Sequence, residues 1–306
     1  MSVQGWNPVR ITSSIILLIG IIAVSAASIL IRNAQTTAPS LVIASYRMTI
    51  ASLVVVPVAL WRNHNDLRKL RTTEWLLAAA SGVFLALHFA AWVTSLEYTS
   101  VTSSVVLDAT SPLWVAIGSW LLLHERLTRP VIFGLIVAVA GSLVIGFGDM
   151  IQGARSASLL GNSLALVGAL MVTGYWLIGR RVRGSLSLAP YVAIVYSMAA
   201  VVLLMMVGGA SQSLTGYDTI TYVWLVLLAL GPQLVGHSSF NWAIARLPAV
   251  FVAVATLCEP IGATVLAYFL LGETPTTIRM LGAALVLAGI AVTMSSQPSA
   301  ASIEPQ

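Results

Sequence analysis

Residues 110–141 read TSPLWVAIGSWLLLHERLTRPVIFGLIVAVAG, and residues 258–289 read CEPIGATVLAYFLLGETPTTIRMLGAALVLAG. With residue n set against n + 148, Pro112 falls on Pro260, Leu123 on Leu271 and Glu125 on Glu273. The register continues through Thr128/Thr276, Gly134/Gly282, Ala140/Ala288 and Gly141/Gly289, and reaches back to Gly20/Gly168 and Arg32/Arg180. Leucine falls on leucine by chance in so apolar a chain, but proline, glycine and glutamate matched in one register seldom do. The chain is a duplication with a period of about half its length.

Working outward from the repeat, 58% of the 306 residues are hydrophobic and 8% are charged, against roughly 25% charged in soluble domains. Stretches of about 18 or more apolar residues read as membrane-spanning helices, because only a helix satisfies its own backbone hydrogen bonds inside lipid. Ten occur, at about 11–31, 39–61, 74–95, 99–123, 130–148, 159–179, 188–207, 219–243, 248–271 and 277–294. The seam near Glu97 is the least distinct. Short connections leave no room for a soluble domain. The first stretch is longer than a signal-peptide core and lacks a small-residue cleavage site, so it reads as an uncleaved span. The end of the chain, 297–306, reads as a disordered cytoplasmic tail.

The net charge of +5 is explained by topology rather than by nucleic acid, whose binders cluster charge on a solvated face. Arg10, Arg62, Arg68, Lys69, Arg71, Arg126, Arg129, Arg180, Arg181, Arg183 and Arg246 fall on one side of the ten spans. Only Arg32, Arg155 and Arg279 fall on the other, and Arg47 lies within a span. The bias sets both termini in the cytoplasm. The lone Cys258 lies inside a span and reads as a small core residue, which excludes a disulfide or cysteine metal site within one chain.

Five spans per copy is an odd number, so the second copy enters the membrane upside down. The expected fold is therefore all-α: ten transmembrane helices as two inverted five-helix repeats, 1–148 and 149–296, around a central cavity. Inverted repeats of this kind place a substrate site near the midplane and point to transport by alternating access.

The residues that carry the repeat also resemble a known family. A proline in the fourth helix of each copy (Pro112, Pro260), a glutamate at the next turn (Glu125, Glu273) and glycines along the fifth (Gly134, Gly141, Gly282, Gly289) are similar to the EamA-type branch of the drug/metabolite transporter superfamily. Within it the chain is most similar to the bacterial amino-acid exporters of the YddG group. His88 and His237 depart from the cavity-lining aromatics expected there on the third and eighth helices. The resemblance implies export of small metabolites across a bacterial inner membrane, amino acids including aromatic ones first, without a cofactor or a metal.

Ionisable groups at membrane depth face a cavity or a partner. Here they are Arg47, His88, Asp108, His237 and Glu259. Counted along their helices, Arg47, His88 and Asp108 lie in the outer half, Glu259 near the middle and His237 in the inner half. Polar stripes at helical spacing mark wet faces: Ser104, Asp108 and Ser111; His88, Trp92 and Ser95; His237 and Asn241, with Trp242 beside them; Thr256 and Glu259; Thr173, Tyr175 and Trp176; Ser25 and Ser28. The candidate substrate-binding residues are His88, Trp92, Asp108, Ser111, Tyr175, His237, Asn241 and Trp242, with Arg47 and Glu259 as charge partners or proton sites. Such a set suits a zwitterion with an organic side chain.

Plainer readings stand beside these. Arg47 can brace the fold through Asp108, the histidines can be hydrogen-bonded core residues, and Glu259 can cap a carbonyl freed by Pro260. Glu125 and Glu273 read as structural, and the glycines as packing within one chain before dimerisation. The chain is expected to be a monomer or weak homodimer in the bilayer, with a small-molecule substrate and no nucleic acid. Exporters of hydrophobic cations, a passive channel and a membrane enzyme are the rival functions. The enzyme reading lacks metal spacing or a phosphate-binding loop.

Overall fold

The computed structural model describes residues 8–99, 104, 107–151, 159–271 and 276–295, and among these there are helices and turns but no strand. The first half comprises α1 (Pro8–Ser25), α2 (Ala27–Ala34), α3 (Ser40–Arg62), the short α4 (His64–Arg68), α5 (Thr72–Tyr98), α6 (Ser111–Leu122) and α7 (Arg129–Ile151). The second comprises α8 (Leu159–Val182), α9 (Leu188–Gly209) and α10 (Thr219–Leu228), which runs through a π-helical stretch, Ala229–His237, into α11 (Ser238–Ile244). It closes with α12 (Ala249–Thr256), α13 (Glu259–Leu271) and α14 (Thr277–Ser295). The expected tail at 297–306 and Glu273 lie outside the described residues.

Among the described residues, six apolar helical stretches are long enough to cross a bilayer: Thr12–Ala34, Ser40–Arg62, Thr72–Tyr98, Leu159–Val182, Leu188–Gly209 and Thr219–Ile244. Four shorter ones, Ser111–Leu122, Arg129–Val144, Ala249–Gly262 and Met280–Thr293, bring the apolar segments to the expected ten. Side chains such as Leu53, Trp61, Met205 and Phe269 lie exposed on the outside of the bundle. An apolar surface of that extent belongs in lipid.

The expectation of unbroken spans fails at the fourth and ninth. Pro112 has no N–H to offer the carbonyl of Asp108, four residues back, and its ring crowds that carbonyl; Pro260 stands in the same relation to Thr256. Both spans answer with a turn, at Ala109–Thr110 and at Leu257–Cys258. There the Thr110 N–H reaches the Leu107 carbonyl and the Cys258 N–H the Ala255 carbonyl, each at 3.1 Å. The polar stripe Ser104, Asp108, Ser111 is therefore not one continuous face. Ser104 turns away to share a hydrogen bond with Ser95 (Oγ–Oγ 2.6 Å).

Those two turns are one of several places where the 148-residue register reappears in space. Arg32 Nη1 donates to the Leu96 carbonyl at 3.0 Å, and its equivalent Arg180 Nη1 donates to Ile244 at 3.1 Å. Ser25 Oγ bonds back to Ile21, as Thr173 Oγ1 does to Ala169. The Trp92 side chain lies against Gly168, and the equivalent Phe240 lies against Gly20. At the level of helices, α5 packs on α8 as the π-helical stretch packs on α1, while α3 with α9 and α7 with α14 are pairs of equivalents.

The α7–α14 pair is made by its glycines. A Cβ on Gly141 would lie 2.6 Å from the Val286 nitrogen and 2.7 Å from the Gly282 oxygen, and one on Gly289 would lie 2.5 Å from the Gly134 oxygen. Small residues let two helix backbones touch where no side chain fits, and here both helices belong to one chain. Glu125, at the turn after α6, accepts from Arg180 Nε at 2.8 Å. This ion pair ties the fourth span to the end of the sixth.

Candidate functional site

All five ionisable groups at membrane depth line one cavity, together with Val24, Ala27, Phe89 and Trp92. The sequence placed Arg47, His88 and Asp108 together in the outer half and set His237 apart in the inner half. The bundle instead brings His237 to the same wall, its ring 5.3 Å from that of Phe89. Phe89 and His237 are equivalents in the register, so this contact lies where the two copies face each other. The free space at the centre is about 30 Å³, enough for about one water molecule.

The helix breaks build the acidic side of this cavity. Asp108 stands immediately before one turn, and Glu259 is the first residue of α13 immediately after the other. A second space of similar size, lined by Ala109, Ser111, Thr256, Leu257 and Pro260, shares Trp92, Asp108 and Glu259 with the first. These three side chains form the partition. Interrupted spans also aim the N-terminal ends of α6 and α13, which carry positive partial charge, toward this region.

Arg47 is 1% exposed. The alternative in which Arg47 braces the fold through Asp108 is not what the structure contains: Arg47 Nε donates to Gln233 Oε1 at 2.8 Å, and the guanidinium lies 4.0 Å from the centre of the Phe89 ring. Gln233 reaches it from beside Pro232, inside the π-helical stretch. Such stretches recur at functional sites. Asp108 faces His88 instead, Oδ1 to Nδ1 at 4.0 Å. The same Nδ1 lies 3.0 Å from the Gly168 carbonyl, which can only accept, so Nδ1 carries the proton. Trp92, one turn on, is stacked on His88 with the ring planes 5° apart, and Trp176 is stacked on His237 at 3°.

Among the described residues, four polar atoms of this lining are buried without a hydrogen-bond partner: Arg47 Nη1, Trp92 Nε1, Asp108 Oδ1 and His237 Nδ1. Each buried unsatisfied group costs about 1–3 kcal/mol. All four belong to residues that line the same small space.

The other sequence candidates are placed as follows. Ser111 lines the second space. Tyr175 and Asn241 lie behind the His237 wall, where Asn241 Nδ2 donates to the Tyr175 hydroxyl and to the His237 carbonyl. Trp242 is not brought to either space; its ring lies 3.7 Å beneath the Arg246 guanidinium. Two residues that sequence reasoning passed over belong to the site, Phe89 and Gln233. Gln233 had a signal, since it lies four residues before His237 on the same span. Among the described residues no three His, Cys, Asp or Glu side chains converge to hold a metal ion.

Comparison with known proteins follows the same division of the chain. The model of the EamA-like transporter family matches twice, over residues 11–147 and 159–295, two stretches in the 148-residue register at both ends. An uncharacterized transporter of Archaeoglobus fulgidus is 23% identical over 260 residues, covering 83% of this chain and 88% of that protein. A probable amino-acid metabolite efflux pump of Salmonella typhimurium is 26% identical over 204 residues, covering 61% and 65%. One solved crystal structure superposes with a TM-score of 0.78 at 17% identity, over 93% of this chain and 96% of its own, which is agreement of fold. With ten apolar segments, a repeat legible in both sequence and contacts, and both copies matched by one family, the chain is a multi-pass membrane protein and belongs to the EamA-like transporter family.

Proposed function

We propose that this transporter exports small zwitterionic metabolites, amino acids including aromatic ones, by alternating access across a bacterial inner membrane. The two halves, 1–148 and 149–296, act as inverted repeats that rock about the cavity, with both termini cytoplasmic. The orientation rests on the arginine and lysine bias, and the inversion on the odd number of spans per repeat.

The observation that carries the substrate reading is the convergence of orphaned polar atoms on a space holding one guanidinium and two carboxylates. Arg47 Nη1 is the donor for a substrate carboxylate. Asp108 and Glu259 are the acceptors for a substrate ammonium. Trp92 and Phe89 offer rings to an apolar or aromatic side chain. His88, held by Gly168, and His237 complete the wall, with Tyr175 and Asn241 behind it. A space of about 30 Å³ admits no amino acid, so the halves must separate on one side to load it, as alternating access requires.

An analogue series tests this reading on the purified protein. Phenylalanine should raise the unfolding temperature. Phenethylamine, which lacks the carboxylate, and 3-phenylpropionate, which lacks the ammonium, should each bind about tenfold or more weakly, because a hydrogen bond to a charged group contributes ~1.5–3 kcal/mol. Phenethylamine binding as tightly as phenylalanine would replace the zwitterion with an organic cation.

A further inference from the structure

A groove of about 290 Å³ lies on the flank of the bundle, where α3, α4 and α5 of the first half meet α9 of the second. Leu60, Leu67, Trp75, Ile194, Met198 and Val201 are among its walls. It is open to the surroundings, since Leu60, Trp75 and Val201 are each about half exposed. Water in such a space would find almost no polar partner, so the occupant is hydrocarbon.

One end of the groove is charged. The segment that closes it carries Arg62, Arg68, Lys69 and Arg71, all exposed, against the two acids Asp66 and Glu74. Both acids are already engaged across the repeat boundary. Asp66 Oδ2 accepts from Ser187 Oγ at 2.6 Å and from Asn63, bonds that hold its carboxyl below the usual range, Ser187 first. Glu74 accepts from Ser185 Oγ at 2.8 Å and from the Arg71 N–H. Among the described residues none of the four cations is in an ion pair. Trp61 and Trp75 flank the segment, and tryptophan favours the level of the lipid headgroups.

We propose that this groove is a binding site for one anionic glycerophospholipid, its acyl chain between α3 and α9 and its phosphate on Arg68, Lys69 and Arg71. An apolar slot ending in a basic cluster at the membrane surface is the arrangement that selects anionic headgroups. The bound chain bridges the two halves at the α3–α9 pair. This inference depends only on the chain being a membrane protein and stands apart from the substrate reading.

The test uses the full-length protein in bilayers of phosphatidylcholine and phosphatidylglycerol in equal parts, with spin-labelled forms of each lipid as probes of the immobilised fraction. Phosphatidylglycerol should be enriched, by about fivefold for each cation engaged. The enrichment should fall in the exposed-surface variant Arg68→Gln/Lys69→Gln/Arg71→Gln. It should also fall in Ser197→Trp, which fills the groove with the charges intact, and should persist in Arg126→Gln/Arg129→Gln on a different basic turn. Enrichment unchanged in the triple variant, or lost equally in the Arg126/Arg129 control, overturns the proposal. Equal immobilisation of both lipids, with a dimer that Ser197→Trp dissolves, would assign the groove to a second copy of the chain and also overturn it.

Discussion

Replacing Asp108 with asparagine is expected to reduce transport by roughly thirtyfold or more, the consequence of truncating one partner of a buried charge contact at about 2–5 kcal/mol. The shape of the side chain is kept and only its charge is removed. The protein should still fold, because among the described residues Asp108 forms no ion pair with Arg47; the ionisable side chain it faces is His88, at 4.0 Å. Had Asp108 braced Arg47, the same substitution would break a buried pair and remove about 3–5 kcal/mol of stability. Initial rates in proteoliposomes, read with the thermal unfolding of the same preparation, separate the two. Normal transport by Asp108→Asn would move the site toward His237, Asn241 and the second half of the chain.

The largest effect on stability is expected at Gly141. Valine there would drive a branched side chain into the Val286 nitrogen and the Gly282 oxygen, 2.6 and 2.7 Å from its Cβ. Backbone atoms cannot rotate out of the way, so α7 and α14 must separate. Overpacking a well-fitted core already costs ~1–3 kcal/mol when side chains can adjust, and this contact should exceed that range. Gly209→Ala, where nothing lies within 4 Å of the added atom, is the matched control and should be neutral or slightly stabilising by helix propensity. The yield of monodisperse protein and its unfolding temperature are the readouts. A Gly141→Val protein as stable as Gly209→Ala would contradict the close packing of α7 on α14.

The duplication was legible because it was written in residues with few substitutes. Gly134, Gly141, Gly282 and Gly289 recur because two backbones touch there, and Pro112 and Pro260 recur because both spans are interrupted there. The interruption itself was harder to read. A proline inside an apolar run is compatible with a kinked continuous helix, and the hydropathy of the flanking residues is the same either way. Depth along a span was also a poor guide to neighbours. His237 counted into the inner half of its own helix, yet it meets Phe89, its equivalent in the register, where the two copies face each other. Arg47 and Asp108 were paired by depth and opposite charge. The rotation of α3 that gives the guanidinium to Gln233 and Phe89 is a property of packing, invisible to periodicity within one helix. Trp242 was set beside the His237–Asn241 stripe in the sequence, but its ring lies under Arg246, four residues on.

The central claim, a zwitterion carried by exchange through the Arg47–Asp108–Glu259 cavity, is tested most directly by counterflow. Proteoliposomes are loaded with unlabelled phenylalanine and diluted into a trace of the labelled amino acid. A transporter that must reorient around its substrate should accumulate label transiently above the equilibrium level, and Asp108→Asn vesicles should not. Label that merely equilibrates, at the same rate in loaded and empty vesicles, would mean a passive pathway and contradict the account.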